Sequence, residues 1–280
     1  MVDGVEITVV VPVRDGAATL PACLDALAGQ TVDGRVELIV VDNASRDATA
    51  AVAAAHAAHP SVIREEHRGS YAARNTGAAA ARGRRLAFTD ADCVPEGGWL
   101  AAGLRALDQG ADLAGGAVLA IASAAPTVWE VYDRAVYLDQ QANVDTMHFA
   151  ATANLFVDRA VFESVGGFDA GLRSGGDVLF GRSATASGCK LVYAPDAVVQ
   201  HRPRTTMRET WKLHRRLGAG WTGLARRGMW PSVRDDRALR IGLGVVAAAA
   251  SADGRRIRQR ELAVAHAVAM TARWTGRLIG

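Results

Sequence analysis

Strict alternation of strand and helix constrains this chain more than any other feature. "VEITVVVPV" is a continuous β-branched run, the mark of a strand buried on both faces of a parallel sheet. "DGAATLPACLDALAGQT" follows, with Leu20, Leu24 and Leu27 at helical spacing and Gly29 placed to close the helix. The plan repeats in "RVELIVVDNASRDATAAVAAAHAAH", where a strand ends at Asp42, and again through "SVIREE", "GSYAARNTGAAAARG" and "RRLAFTD". Such alternation predicts an α/β fold, a Rossmann-like, mainly parallel central sheet flanked by helices. Ligands on these sheets sit beyond the carboxyl ends of the strands. Asp42, Asp90 and Asp92 all fall there, so acids from separate stretches of chain are expected on one rim.

The second half is less regular. "DLAGGAVLAI" reads as a strand, "PTVWEVYDRAVYLDQQ" as a helix, "HFAATANLFVDRAVFESVGGF" as a strand followed by a short helix, and "CKLVYAPDAVVQHR" as one or two strands. After Pro203 the pattern becomes helical and basic. A chain of 280 residues can bury roughly three quarters of its unfolded surface, and half of its residues are hydrophobic. That composition excludes disorder.

A net charge of +3 does not argue for nucleic acid. The charge is unevenly placed, however, with eleven Lys/Arg between Arg202 and Arg240 against Glu209, Asp235 and Asp236. Cys23, Cys93 and Cys189 are odd in number and show neither C-x-x-C nor zinc-like spacing, which fits a reducing cytoplasm. The opening "MVDGVEITVVVPV" reads as a strand and not a signal peptide. The longest later apolar run, "IGLGVVAAAASA", falls short of the roughly 20 residues that span a bilayer.

Chemistry begins at "TDAD". Two carboxylates flanking one residue at a strand end can share a hard divalent cation, because Mg²⁺ takes one or two carboxylates together with substrate phosphates and waters. A solvated turn or helix cap uses the same residues. The exit of the first strand, "PVRDGAAT", has a single glycine where a dinucleotide fold needs G-x-G-x-x-G, and no G-x-x-x-x-G-K-[ST] occurs. Any nucleotide must therefore be held by metal and arginine. Asp42 can accept from a nucleobase or ribose, or cap a helix beside Asn43 and Ser45. Arg74 and Asn75 fall on the first turns of a helix, a region suited to anions, although an arginine there is as compatible with the surface.

Four blocks together carry a resemblance: "VVVPVRDGAATLPACLDALAGQT", "VELIVVDNASRDAT", "GSYAARNTGAAAARGRRLAFTDADCVPEGGWL" and "GGFDAGLRSGGDVLFGRSATASGCKLVYAPDAVVQH". From about Val5 to His201 the chain resembles the family 2 glycosyltransferases of the GT-A fold. The resemblance implies an inverting, hexosyltransferase-type enzyme with a nucleotide-sugar donor, a UDP-sugar by default, and a divalent metal, Mn²⁺ or Mg²⁺. Residues 1–110 then form the nucleotide-sugar-binding half of one GT-A domain, 111–203 its acceptor-binding and catalytic half, and 204–280 a basic helical C-terminal extension. Pro12, Val13 and Arg14 lie by the nucleoside, Asp42 by base or ribose, Arg74 near base or pyrophosphate, and Asp90 and Ala91 at the donor. Asp92 is the expected direct metal ligand, helped by Asp90 and by His201 of "VVQH". Asp177 is the expected catalytic base.

One departure stands out. Where relatives usually read Glu-Asp, this chain has Gly176-Asp177, which puts acceptor orientation in question. Taken alone, Asp177 also suits a helix N-cap and His201 a satisfied buried histidine. "GGFD" at Gly166–Asp169 reads as a tight turn with positive φ and, by resemblance, lines the acceptor side.

In the tail, Met207, Trp211, His214, Leu217, Trp221 and Leu224 form a largely apolar stripe, with Arg208, Lys212, Arg215, Arg216 and Arg226 around the rest of the helix. The stripe either docks on the catalytic domain or lies on the inner face of the cell membrane, near a lipid-linked acceptor, through the basic 204–240 segment. Saccharide, glycolipid and small-molecule hydroxyl acceptors all remain open. Two competing classes are a sugar nucleotidyltransferase, which needs a glycine-rich basic loop that "PVRDGAAT" lacks, and a degenerate nucleotide-sugar binder, which Gly176 permits.

Overall fold

The computed structural model describes residues 4–121, 123–136, 138–229 and 259–279. The expected alternation is present: β1 (Val5–Val13), α1 (Leu20–Ala28), β2 (Arg35–Asp42), α2 (Thr49–Ala54), β3 (Ser61–Arg64), α3 (Ser70–Ala80) and β4 (Arg85–Thr89). There follow β5 (Cys93–Pro95), α4 (Trp99–Asp108), β6 (Leu113–Ala120), α5 (Val128–Val136), α6 (Gln140–Met147), β7 (Asn154–Asp158), α7 (Arg159–Val165), α8 (Gly176–Ala186), β8 (Leu191–His201) and α9 (Met207–Arg226). Gln259–Ile279 forms a further helix, α10. The end of the 204–240 segment and the run "IGLGVVAAAASA" lie outside the described residues. Among the described residues no helix is long and apolar enough to cross a membrane.

The chain divides into two compact units, one of Met1–Leu119, Gln140–Gly171 and Gly176–His201, the other of Ala120–Asp139, Leu172–Gly175 and Arg202–Gly280. The first unit holds an eight-stranded sheet in the order β3-β2-β1-β4-β7-β6-β8-β5. β3, β2, β1 and β4 pair in parallel, as the β-branched runs predict; the middles of β1 and β4 and the second half of β2 are buried, and the edge strand β3 is only partly so. Beyond β4 the pairings turn antiparallel, β4 with β7, β7 with β6 and β8 with β5. Strand order reverses at β1, between β2 and β4, so the crevice above these tips is where a ligand has room.

Asn154, fully buried at the start of β7, holds the mixed half together. Its Nδ2 donates to the carbonyls of Ala117 and Ala197 at 2.8 Å each, and its Oδ1 accepts from Trp99 Nε1 at 2.8 Å. One amide thereby satisfies groups on β6, β8 and α4 that would otherwise be buried unpaired.

The single helix expected over "PTVWEVYDRAVYLDQQ" is instead two. Leu138 takes a positive φ of 53°, which ends helical propagation, and Gln140 starts α6 by donating to the carbonyls of Ala151 and Asn154 while accepting from Ala151 N–H. The periodicity missed this because the break comes from a tertiary anchor and not from a Gly or Pro. β5, three residues ending in proline, was equally too short to show a period.

The second unit is helical. α9 begins with a capping box, Thr206 Oγ1 accepting from Glu209 N–H and the Glu209 carboxylate accepting from Thr206 N–H. Its stripe packs on α10. Leu213, His214, Gly218 and Leu224 are buried, Trp211, Leu217 and Trp221 are partly buried, and Met207 alone of the stripe is exposed. The two helices approach backbone to backbone at Gly218 and Gly276, where any Cβ would meet the carbonyl of Arg273 or Arg215. α5 joins them through Val131, Tyr132 and Val136 against Leu262, Ala265 and Ala269.

His214 lies inside this bundle. Arg273 donates to its Nδ1 at 3.0 Å, and its buried Nε2 finds no hydrogen-bond partner among the described residues. Burial, then the charges of Arg273, Arg204 and His266, lower its pKa from 6.5 to about 3. The unfolded chain therefore takes up a proton that the folded chain refuses, so stability falls as pH drops from about 6.5 towards 3. Thermal unfolding across that interval should show the decline, and His214→Gln should flatten it even if the variant is less stable overall.

Candidate functional site

The site is assembled at the carboxyl ends of β1, β2 and β4. Pro12 and Val13, both buried, close β1, and Arg14 emerges exposed with Nε 3.8 Å from Asp15 Oδ2. The loops after β1 and β2 are stitched together: Asp15 N–H donates to Ser45 Oγ at 2.9 Å, Arg46 N–H to Asp15 Oδ1 at 2.7 Å and Gly16 N–H to Thr49 Oγ1 at 2.9 Å. Asp42 is 1% exposed; its Oδ1 accepts from Ser45 N–H and its Oδ2 from Arg64, both at 3.2 Å. It therefore braces its own turn while standing at the rim, and it caps no helix, since α2 starts at Thr49 with Ala48 at its N-cap.

α3 organises the centre. Arg74 is 3% exposed and is paired through Nη2 to Asp90 Oδ1. Its Nε is buried with no hydrogen-bond partner among the described residues. It is thus no surface cation: a buried guanidinium needs a carboxylate, and Asp90 supplies it. One turn earlier, Tyr71 Oη donates to Asp177 Oδ1 at 3.0 Å, and the Arg74 guanidinium carbon lies 5.8 Å from the Tyr71 ring centroid. Asn75 on the same helix clasps Phe168 of "GGFD", donating to its carbonyl at 2.7 Å and accepting from its N–H at 3.0 Å. Gly166 and Gly167 take φ of 88° and 69°, the turn conformation read from the sequence. Helix α3 is seated by Gly77, where a Cβ would strike Val10 and Val41.

Asp92 is 48% exposed, and its Oδ2 lies 3.7 Å from Nε2 of the buried His201. β5 pairs with β8 so that Cys93 faces His201, which brings a residue more than a hundred positions away beside the D-x-D turn. Ala91, between the two acids, is buried. Cys23 donates from Sγ to the Asp90 carbonyl at 3.7 Å, and burial, with Asp90 and Asp92 adding, pushes its thiol up to about 12. It is a neutral packing group behind the acids.

The three expected metal residues are not equivalent. Asp90 is engaged by Arg74, and among the described residues no group of three or more His, Cys, Asp or Glu could hold a metal. Asp92 and His201 remain as a pair, a carboxylate facing outward and an imidazole behind it. Such a pair fits Mn²⁺ or Mg²⁺, which complete their shells with water and substrate oxygen.

Asp177 is in the first turn of α8, half-buried, and Val178 N–H donates to its Oδ1 at 3.0 Å. Burial raises its carboxyl above the usual aspartate range; the Tyr71 hydroxyl, the Val178 N–H and the Arg74 charge oppose that rise. The result is a carboxylate with increased proton affinity. Tyr71 and Cys23 were not singled out as site residues in the sequence, because an aromatic and a thiol in helical segments read as packing; Asn75 was placed beside Arg74 as part of an anion-suited helix start, and the structure has it holding the Phe168 backbone instead.

Comparison with known proteins agrees with this architecture. Residues 8–166 match the family model "Glycosyl transferase family 2". The chain is 37% identical over 220 residues to Glycosyltransferase AglE of Haloferax volcanii, covering 76% of this chain and 72% of that protein. It is 30% identical over 213 residues to the Pre-mycofactocin glycosyltransferase of Mycobacterium tuberculosis, covering 73% of this chain but only 44% of that protein. Among solved structures, the mannosyltransferase PcManGT from Pyrobaculum calidifontis in complex with GDP-Man and Mn²⁺ aligns with a TM-score of 0.60 at 21% identity, over 98% of this chain and 84% of that one. S. aureus TarS 1-349 in complex with UDP-GlcNAc aligns with a TM-score of 0.58 at 16% identity, over 98% and 90% respectively. With its mixed sheet, its rim of acids and these likenesses, the chain belongs to glycosyl transferase family 2 and has the GT-A fold.

Proposed function

We propose that this glycosyltransferase moves a hexose, with inversion, from a nucleoside-diphosphate sugar to an acceptor hydroxyl, a UDP-sugar being the favoured donor. The observation that carries the reading is one helical turn holding two acids at once, Tyr71 on Asp177 and Arg74 on Asp90. The residues assigned to the base and to the donor side thus share one rigid support.

Transfer with inversion needs one base, because a nucleoside diphosphate leaves as a stable anion and requires no acid. Asp177 has the environment for it: its raised proton affinity suits it to take the acceptor's proton as the hydroxyl oxygen attacks. Asp92 and His201 would hold Mn²⁺ or Mg²⁺, which when bound supplies Lewis-acid stabilisation of charge on the leaving diphosphate. Arg74 neutralises Asp90 and keeps that carboxylate oriented at the donor. Pro12, Val13, Arg14, Asp42 and Ala91 form the walls around the nucleoside in this reading. The mannosyltransferase and TarS complexes, with GDP-Man and Mn²⁺ and with UDP-GlcNAc, support a nucleotide-sugar donor and a divalent ion.

The acceptor is a saccharide, a glycolipid or a small molecule. Arg208, Lys212, Arg215, Arg216 and Arg226 are exposed on α9, a basic face that supports peripheral contact with anionic lipid.

Three measurements test this reading. In a thermal-shift screen of UDP-, GDP- and dTDP-sugars, one class should stabilise the chain by about 2.7 kcal/mol at a hundredfold excess over its dissociation constant. Asp92→Asn should remove the Mn²⁺-dependent part, and no Mn²⁺-dependent shift with any donor sinks the reading. Asp177→Asn should lower turnover by about 10²- to 10⁴-fold with donor affinity nearly retained. In the wild type, turnover should be lost as pH falls through the raised Asp177 value, at a higher pH than an ordinary aspartate would set. In flotation with vesicles containing phosphatidylglycerol, the chain should rise with the lipid, and charge reversal at Arg208, Arg215 and Arg216 should leave it at the bottom; equal flotation of both rules out the basic face.

A further inference from the structure

Gly176 and Tyr71 explain one another. A Cβ built on Gly176 would lie 2.7 to 2.8 Å from three carbons of the Tyr71 ring, a separation no side chain can hold. The ring cannot easily move aside. It is 5% exposed, its centroid is 5.6 Å from that of Phe168, and Phe168 is in turn packed on Phe88, Phe162 and Phe180 with centroids 4.9 to 5.3 Å apart. Asn75 fixes the Phe168 backbone from the same helix. The space that a side chain at 176 would fill is therefore occupied by a phenol arriving from α3, and that phenol ends on the carboxylate of the next residue.

Burial raises the Tyr71 phenol, with the Asp177 charge adding, so its hydroxyl stays protonated and donates. The Tyr71 hydroxyl and the Val178 N–H both reach Oδ1 of Asp177, and Oδ2 is the oxygen that neither reaches. With Oδ1 held from two directions the carboxylate cannot spin freely about its terminal torsion, and a single oxygen is left to receive a proton.

We infer that Tyr71 is the positioning residue for Asp177, orienting the carboxylate through Oδ1 so that Oδ2 meets the acceptor hydroxyl, and that Gly176 is the space this arrangement demands. The inference rests on Asp177 acting as the base. In that role Tyr71 replaces orientation by a second carboxylate with orientation by a neutral donor. The consequence is that no charged side chain stands at 176, where Gly176 and the Tyr71 ring are both buried.

The test uses the full chain with aspartate carboxyl carbons labelled with ¹³C, the Asp177 signal being assigned by its loss in Asp177→Asn. Tyr71→Phe keeps the ring against Gly176 and removes only the hydroxyl. Its Mn²⁺-dependent donor shift should match the wild type and it should remain folded, while the Asp177 carbon should titrate at higher pH, since the charged form has lost a donor, and the unfolding midpoint at neutral pH should fall by the amount that titration shift implies. Turnover should drop with donor KM unchanged. Gly176→Ala should destabilise the wild type and move the Asp177 titration in the same direction, yet have little effect on stability in a Tyr71→Ala background. An Asp177 titration unchanged in Tyr71→Phe, or a Gly176→Ala effect equal in both backgrounds, overturns the inference. Survival of turnover in Asp177→Asn would instead remove the base itself, so the two failures are told apart.

Discussion

One turn of helix α3 links the two acids that the proposed reaction assigns to the base and to the donor side. Tyr71 and Arg74 are three residues apart, on one face, and each ends on a carboxylate from a different stretch of chain, Asp177 and Asp90. Both side chains are buried, so neither partner could be removed without leaving a polar group stranded in the interior. The helix is in turn clamped: Gly77 lets it sit on β1 and β2, Asn75 clasps the backbone of Phe168, and Thr76 bonds the Glu65 carboxylate. Rigid support of this kind is what turns a scatter of acidic residues into a site.

Much of that framework was legible. The β-branched runs of β1 and β2 and the apolar β4 could only be strands buried on both faces, and the polar residues that end them could only be at the rim, because an unpaired carboxylate inside the sheet is too costly. Asp42, Asp90 and Asp92 were located by that argument without any contact being known. The turn at Gly166 and Gly167 was equally plain, since paired glycines before Phe168 leave few other uses.

What the residues touch was not legible. Arg74 read as a cation near a helix start, and only the packing of α3 shows it buried against Asp90. His201 reaches Asp92 because the three-residue β5 pairs antiparallel with the end of β8, a pairing too short and too distant in sequence to announce itself. Gly176 read as a missing carboxylate; the ring of Tyr71 shows the position to be filled from elsewhere. In the second unit the apolar stripe of α9 was evident, but its partner, α10, was not, because an amphipathic helix declares which face it hides and not what hides it.

The amino-acid sequence by itself determined the order of strands and helices, the rim where the acids emerge, and the family resemblance spread across separate blocks, because these depend on local period and on the cost of burying charge. Tertiary structure alone decided which oxygen faces which donor, that Tyr71 and Gly176 share one space, and that His214 is buried uncharged between α9 and α10. Those outcomes depend on distances between segments far apart in the chain, and no periodicity within a segment encodes them.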